Sequence, residues 1–423
     1  MTDISSAAER IFAGEMTIID YVCELSAADS GREDCPNDLF YWESVRDARK
    51  NGKKLIFISG PAPLEILYAL DCVPLYLDLL PSRLSQNPIL TARLINEAET
   101  RANASLCSLN KTNTGLLLKG ALGLVPDAFV SLPIPCDSAR TACTELGRIV
   151  GAPSFHFDIP LRRDLRSLQY VEMQLGRYIG FIEGIASREL DWEKLKYRME
   201  LSNRAAALLE KCAALRAAKP CPLSSRLTIW NELMNAFAPT PEMEMLLTKE
   251  FELCTRRTND AFTPCPDGEK HRVMLMHNLL WRGIEITEHL EARYGAVTVL
   301  DGFFFGERER FANPDDKSDC LSVMARRMLE GSRAHAAGAS GEDLLGAIAL
   351  AKRDYSADVF LFLGSAGCRH AWASMKMVSD SVQEKYGLPI LLLDIDNTDS
   401  RYKSEDEIKN AVDQYMDTVI NKK

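Results

Sequence analysis

The chain has 423 residues, which is enough for two or three domains with substantial hydrophobic cores. Its formal net charge of -10 argues against a broad surface for nucleic acid or for anionic membranes. The N-terminal residues lack the apolar segment of a secretory signal and every apolar run is too short or too interrupted to span a membrane, so we expect a cytoplasmic protein.

The first part of the sequence alternates apolar runs with helical patterns. Residues 1–50 predict an N-terminal helical segment, and a polar helix is predicted around 92–106. Strands are predicted for LIFIS (55–59), VPLYLD (73–78), AFVSLPI (128–134) and FHFDIP (155–160). Strands that alternate with helices form parallel sheets through βαβ crossovers, so we expect a first α/β domain over residues 51–163.

Residues 164–265 show a different pattern. Apolar residues recur every three or four positions, as at Leu168, Val171, Leu175, Ile179 and Ile182. No strand is predicted here, so we interpret this region as a helical insertion. Strands return at VMLMH (273–277), AVTVLD (296–301), VFLFLG (359–364) and GLPILLLDID (387–396). The sequence thus predicts two Rossmann-like α/β domains with mostly parallel sheets, the second over residues 266–423, and a ligand site in the cleft between them.

Three of the twelve cysteines differ from the rest in their local sequence. Cys107, Cys136 and Cys368 lie in polar turns where a strand or loop gives way to a helix, which is a poor place for core filler. Cys136 and Cys368 follow predicted strands, at the edge where open α/β sheets bind their ligands. From these residues alone, an iron–sulfur site, a zinc site completed by His370 and three unrelated thiols remain alternatives.

Longer segments of the sequence resemble a known family. In the first half they are GPAPLEILYALDCVPLYLD, CSLNKTNTG, LPIPCDSAR and FHFDIP. In the second half they are RVMLMHNLLWRGIEITEHLEARYGAVTVLD, ADVFLFLGSAGCRHAW and GLPILLLDIDNTDSRYKSEDEI. Over roughly residues 50–420 the chain resembles subunits of the 2-hydroxyacyl-CoA dehydratase and benzoyl-CoA reductase family, and in particular the 2-hydroxyglutaryl-CoA dehydratase D-component.

The resemblance implies an enzyme of two related subunits, each holding a [4Fe-4S] cluster on three cysteines, which match Cys107, Cys136 and Cys368 here. It implies a homologous second subunit, an acyl-CoA substrate and an ATP-dependent iron–sulfur activator that injects one low-potential electron. The reduced thioester carbonyl, a ketyl radical anion, expels the adjacent hydroxyl, and a base removes the β-proton to give an enoyl-CoA. No P-loop motif is found in the sequence, which agrees with ATP hydrolysis by a separate activator.

Polar residues near these motifs have two interpretations each. Glu65 matches a family position near the substrate and is the candidate catalytic acid or base, although a first-turn glutamate also stabilises its helix dipole. His370 could hydrogen-bond a cluster sulfur or face the solvent. Asp137 and Ser138 are predicted helix caps, and Ser138 could also donate to a cluster sulfide.

Other residues bear on variants of this function. We interpret Cys143 as a core residue and leave Cys320 undecided; if both approached the cluster, a double-cubane cluster would result. The alternatives to the dehydratase are a benzoyl-CoA reductase-like or double-cubane reductase, and an electron-relaying or structural partner subunit that carries a cluster. The carboxylates after the last strand are interpreted as an Asx turn paired with Arg401 rather than as a metal site; they are Asp394, Asp396 and Asp399.

Overall fold

A computed structural model of the chain describes residues 4–35, 37–60, 62–132, 136–234, 239–277, 281–301, 309–330 and 341–421. The chain folds into two compact units. Unit 1 comprises Met1–Ala207, Met234–Leu246 and Glu307–Gly331, and unit 2 comprises Leu208–Leu233, Leu247–Gly306 and Ser332–Lys423. The domain boundaries predicted at residues 51, 164 and 266 stay predictions. Among the described helices, none combines the length and the apolar character that crossing a membrane requires.

The first half of the chain alternates strands and helices. Its strands are β1 (Lys54–Ser59), β2 (Cys72–Tyr76), β3 (Ala128–Ser131) and β4 (Ser154–His156). Its helices are α1 (Ile4–Ala13), α2 (Ile18–Asp29), α3 (Leu39–Arg46), α4 (Leu64–Ala69), α5 (Leu79–Leu84), α6 (Pro88–Glu99), α7 (Ser108–Lys119), α8 (Asp137–Val150) and α9 (Leu165–Ala186). Three further helices follow without a described strand between them: α10 (Trp192–Leu215), α11 (Ser225–Met234) and α12 (Pro241–Asn259).

The second half repeats the alternation. Its strands are β5 (His271–Met276), β6 (Ala296–Asp301), β7 (Val359–Ser365) and β8 (Leu391–Ile395). Its helices are α13 (Trp281–Tyr294), α14 (Lys317–Glu330), α15 (Gly341–Tyr355), α16 (Arg369–Ala373), α17 (Met375–Tyr386) and α18 (Glu405–Tyr415), which runs into a π-helical turn at Met416–Ile420.

The two sheets have the same topology. The strand order is β2-β1-β3-β4 in unit 1 and β6-β5-β7-β8 in unit 2, and every pairing is parallel. In each sheet the chain starts in an inner strand, moves to one edge and then returns on the other side, so the winding reverses between β1 and β3 and between β5 and β7. Open parallel sheets bind ligands beyond the carboxyl ends of their strands at this switch point. The predicted fold class is confirmed.

The inner strands are apolar on both faces. Leu55, Ile56, Phe57 and Ile58 of β1 are all fully buried, and β7 is buried along its whole length. Helices cover both faces of a parallel sheet, so such strands read as continuous apolar runs instead of alternating ones. This is the reason that the strands could be predicted from the sequence.

One predicted helix begins and ends elsewhere. The helix expected around 92–106 is α6, which begins at Pro88 and ends at Glu99. Its N-terminus is fixed by Asn87, whose side-chain oxygen accepts a hydrogen bond from the Leu90 N–H at 3.0 Å, and by proline in the first turn. The Asn-Pro pair is the sequence signal that marks this start.

Candidate functional site

The three cysteines predicted as cluster ligands differ from the others in exposure and in position. Cys107, Cys136 and Cys368 are partly exposed, whereas every other cysteine of the chain is buried. Each of the three is the N-cap residue of a helix, since they precede α7, α8 and α16 respectively. A thiolate at this position lies beside backbone N–H groups that lack a partner within the helix, and these groups stabilise negative charge.

Within unit 1, a hydrogen bond joins the first turns of the helices that follow Cys107 and Cys136. The Asn110 side-chain amide of α7 donates to the Ser138 hydroxyl of α8 at 2.8 Å. The N-termini of α7 and α8 are therefore adjacent, and the structure brings two of the three predicted ligands to the same side of unit 1. Cys368 belongs to unit 2, and its grouping with the other two stays a prediction.

Cys136 caps its own helix. Its Sγ accepts a hydrogen bond from the Ala139 N–H at 3.3 Å. The prediction that Asp137 or Ser138 is the N-cap is wrong, because α8 already begins at Asp137 and the Ser138 hydroxyl is engaged by Asn110. The sulfur thus takes the role that a serine or aspartate oxygen usually plays.

The helix after Cys107 is unusual because its first half is polar and buried. Lys111 forms a 2.7 Å ion pair with Glu99 and also donates to a backbone carbonyl, while the Asn113 amide donates to the Leu77 carbonyl oxygen at 2.7 Å beyond the end of β2. Gly115 packs so closely against α6 that an added Cβ would lie 1.8 Å from the Leu94 carbonyl oxygen. The motif NKTNTG therefore fixes α7, and with it Cys107, against α6 and the end of β2.

Cys368 lies beyond the carboxyl end of β7, in the sheet position that Cys136 occupies beyond β3. The Cys368 N–H donates to the Ser365 carbonyl oxygen at 2.9 Å, and the Trp372 indole donates to the same oxygen at 3.1 Å. Trp372 packs edge-on against Phe362, and a Cβ on Gly364 would lie 2.4 Å from the Trp372 ring. This packing holds the turn that carries Cys368 against the end of β7.

Burial raises the pKa of the Cys368 thiol, whereas the backbone N–H groups of Ala371 and His370 act in the opposite direction. A bound cation would favour the thiolate further.

The His370 side chain is half-buried beside the start of α16. It is therefore neither fully solvent-facing, as one interpretation of the sequence had it, nor a core residue.

Sequence reasoning did not single out His277. This residue follows β5 at the switch point of the second sheet and is 6% exposed, and its backbone has a left-handed φ of 50°. Its ring stacks on Phe362 at 5.6 Å, and neither ring nitrogen has a hydrogen-bond partner among the residues that the structure describes. Burial lowers the pKa of His277 to about 4, so the imidazole is neutral at pH 7. The sequence contains no signal for this, because VMLMH is typical of the end of a strand.

Glu65, the predicted acid or base, is 2% exposed in the first turn of α4. Its carboxylate forms a 3.1 Å ion pair with Arg327 of α14, which lies in the same unit. Arg327 also donates to the backbone carbonyl of Glu309 and lies over the Phe311 ring at 4.1 Å. The pair gives Glu65 a structural role that competes with the catalytic one, and Arg327 is a partner that sequence reasoning missed.

The additional cysteines near the predicted ligands are packed in the core. Cys143 lies on α8, and burial raises the pKa of its thiol above the usual range. Cys320, which the sequence left undecided, lies on α14, and its thiol donates to the Asn313 carbonyl oxygen at 3.5 Å. Both therefore have structural explanations.

The carboxylates after β8 form the predicted Asx turn. The Asp396 side chain accepts hydrogen bonds from the backbone N–H groups of Thr398 and Asp399, and Asp399 pairs with Arg401 at 2.7 Å. The interpretation as a turn is confirmed for Asp396 and Asp399, whereas Asp394 lies within β8 and accepts a hydrogen bond from the Tyr402 hydroxyl at 2.6 Å.

A comparison with protein-family models matches residues 61–419 to the family described as 2-hydroxyglutaryl-CoA dehydratase, D-component. A search of curated proteins finds none that matches. The family match covers the described strands from β2 to β8 and all three partly exposed cysteines, and it confirms the family resemblance of the sequence motifs. The chain therefore belongs to the family of the 2-hydroxyglutaryl-CoA dehydratase D-component, that is, of a dehydratase component.

Proposed function

We propose that this chain is the iron–sulfur subunit of an ATP-activated (R)-2-hydroxyacyl-CoA dehydratase and that Cys107, Cys136 and Cys368 hold its [4Fe-4S] cluster. The observation that carries the proposal is the exposure pattern of the cysteines. Every cysteine outside this set is buried, and these three alone are partly exposed and alone precede a helix as its N-cap. Core packing does not explain three such positions in a family of dehydratase components.

The chain's own groups suit a thiolate-bound cluster. Cys136 accepts a backbone hydrogen bond at its sulfur. Hydrogen bonds to the sulfurs of a cluster are one of the factors that set the reduction potential of that cluster. When bound, a [4Fe-4S] cluster on three cysteines supplies one-electron transfer and an iron that is open to an oxygen ligand. The rigid packing of α7 on α6, through Gly115, would keep Cys107 in place during electron transfer.

In the proposed reaction the substrate thioester accepts one electron as a ketyl radical anion, expels its 2-hydroxyl and loses its β-proton, and then gives the electron back. Glu65 is the proposed group that moves a proton, at its carboxylate oxygens. Arg327 orients this carboxylate through the 3.1 Å ion pair and the backbone contact to Glu309 that holds Arg327 itself. A second component related to this chain and an ATP-hydrolysing activator are the proposed partners.

The packing of Cys143 and Cys320 favours one cubane over a double cubane, because both thiols are buried among core residues. A reductase of the benzoyl-CoA type and an electron-relaying partner subunit remain the competing functions. Product analysis separates the reductase from the dehydratase, and the turnover of a Glu65→Gln variant separates a catalytic subunit from an electron-relaying one.

The test is anaerobic coexpression of the chain with a homologous second subunit and an activator ATPase of the kind proposed above, followed by incubation with an (R)-2-hydroxyacyl-CoA, ATP and a low-potential reductant. The expected product is the enoyl-CoA, formed only when ATP and reductant are both present. A product that has gained hydrogen would favour the reductase, and elimination without ATP or reductant would contradict the radical route. Glu65→Gln should abolish turnover while leaving the iron content unchanged; unchanged turnover would leave Glu65 only the structural role.

A further inference from the structure

A second group of metal-binding side chains lies in unit 2, apart from the cysteines described above. The sulfur atoms of Cys212 and Cys254 and a carboxylate oxygen of Glu250 all lie within 4.8 Å of one another. Cys212 comes from α10, whereas Glu250 and Cys254 come from α12. The donors therefore come from two helices that are far apart in the sequence.

The spacing on α12 suits joint ligation. Glu250 and Cys254 are one helical turn apart, at positions i and i+4, which places their side chains on one face of the helix. Cys212 approaches that face from α10 and completes a set of three donors. Zinc–sulfur bonds of about 2.3 Å and zinc–oxygen bonds of about 2.0–2.2 Å put the donors of a tetrahedral site about 3.4–3.8 Å apart, so small side-chain rotations would close the site.

The burial of the donors leaves one side of the group accessible. Both thiols are fully buried in the apolar core of unit 2, whereas Glu250 is half-buried. The same apolar core contains Cys221 and Cys265, which are as deeply buried but have no place in the donor set. A carboxylate oxygen within 4.8 Å of both sulfurs distinguishes Cys212 and Cys254 from these two cysteines.

Charges around the group suit a divalent cation. The side chains of Cys212 and Cys254 are hydrogen-bonded to each other, and the positive charge of Arg216 lies near Cys212. Two thiolates and one carboxylate around Zn²⁺ carry a net charge of minus one, which the guanidinium of Arg216 balances. A metal would thus leave the buried group close to neutral.

We infer that Cys212, Glu250 and Cys254 bind a zinc ion that cross-links α10 and α12. Thiolate sulfur with one carboxylate oxygen is a donor set that zinc accepts, whereas magnesium and calcium require oxygen ligands. The fourth position is taken by water from the half-buried side of Glu250. On binding, each thiol releases its proton to solvent, so that two protons leave for each zinc ion, and no oxidation or reduction takes place.

This site is independent of the proposed dehydratase function, because it uses other cysteines and another metal. Zinc and iron can be measured by mass spectrometry in the same anaerobically purified sample. The Cys136→Ala variant, designed to lose the iron–sulfur cluster, should keep its zinc. An unmodified chain that contains zinc but no iron would contradict the proposed function alone, and one that contains iron but no zinc would contradict the present site alone.

The experiment equilibrates the full-length chain and its variants with buffered Zn²⁺ and measures bound zinc. Cys254→Ser and Glu250→Gln remove donors, and Cys265→Ser is the matched control, since it changes a buried cysteine of the same apolar core. We expect about one zinc per chain in the unmodified protein and in the control. We expect Glu250→Gln to weaken zinc binding by at least about tenfold, as loss of even an outer-shell partner does, and Cys254→Ser to lose it.

Zinc should also raise the melting temperature of the unmodified chain and of the control, but not that of Cys254→Ser, because the cation binds the folded state. If Cys254→Ser does not fold, Glu250→Gln carries the test, since it preserves side-chain size. Equal zinc content and affinity in Glu250→Gln and Cys265→Ser, or an unmodified chain that binds no zinc, would overturn the inference.

Discussion

Protonation of His277 should make the unfolding free energy of the protein depend measurably on pH. Its pKa is about 4 in the folded chain against an ordinary value of 6.5, because the ring is buried. Between these two values the unfolded chain binds the proton and the folded chain does not. Stability therefore falls as the pH drops from about 6.5 towards 4 and is recovered as the pH rises.

The size of the effect follows from the same two values. A pKa difference between 6.5 and about 4 corresponds to about 3 kcal/mol of unfolding free energy. At pH 7 almost none of this is lost, and at pH 5 about 2 kcal/mol is lost. The His277→Asn variant removes the titrating ring, and asparagine tolerates the left-handed φ of 50° at this position.

The assay is urea unfolding of the unmodified chain and of His277→Asn at pH 7 and pH 5. For each chain we take the loss of unfolding free energy between pH 7 and pH 5, and we compare these two losses. Other groups whose pKa is shifted in this range, including Glu291 and His271, contribute equally to both losses, so their contributions cancel. We expect the unmodified chain to lose about 2 kcal/mol more than the variant. Equal losses in the two chains would refute the assignment of a buried, neutral His277.

Three further substitutions test the contacts that position the site. Gly115→Ala should lower the unfolding free energy by about 1–3 kcal/mol or more, because the added Cβ would lie 1.8 Å from the Leu94 carbonyl oxygen. Urea titration measures this change, and an unchanged unfolding free energy would contradict the close approach of α7 and α6. Arg327→Met should cost about 3–5 kcal/mol by leaving the buried Glu65 carboxylate without its cation, and combining it with Glu65→Gln should restore part of that loss. Asn110→Ala should cost about 1 kcal/mol and speed the release of iron to a chelator; an unchanged release rate would exclude a role of this hydrogen bond in holding the cluster.

The strands and the sheet type could be predicted from the sequence because parallel strands leave an unambiguous pattern. β1 and β7 are continuous apolar runs bounded by turns, and their burial on both faces requires that composition. The positions of Cys136 and Cys368 after such strands were therefore predictable as well. The start of α6 was also present in the sequence as Asn87 and Pro88, but the prediction of a polar helix around 92–106 did not use this pair.

Other features of the candidate site depend on contacts that the sequence does not encode locally. Glu65 and Arg327 are 262 positions apart, and nothing in either segment indicates the other. The left-handed backbone of His277 arises where β5 ends, in a stretch whose composition is typical of a strand. The first half of α7 has the polar composition that is typical of an exposed helix. It is nevertheless buried, because its polar side chains find partners on α6, on α8 and at the end of β2.

Iron and sulfide analysis of the anaerobically purified chain and its cysteine variants tests the proposed cluster most directly. We expect about four iron and four sulfide atoms per chain in the unmodified protein, and loss of most of this iron in Cys107→Ala, Cys136→Ala and Cys368→Ala. Cys143→Ala is the matched control, on the helix that Cys136 precedes, and should keep the full complement. A chain without iron, or a Cys136→Ala variant that retains all of it, would contradict the assignment of these three cysteines as ligands.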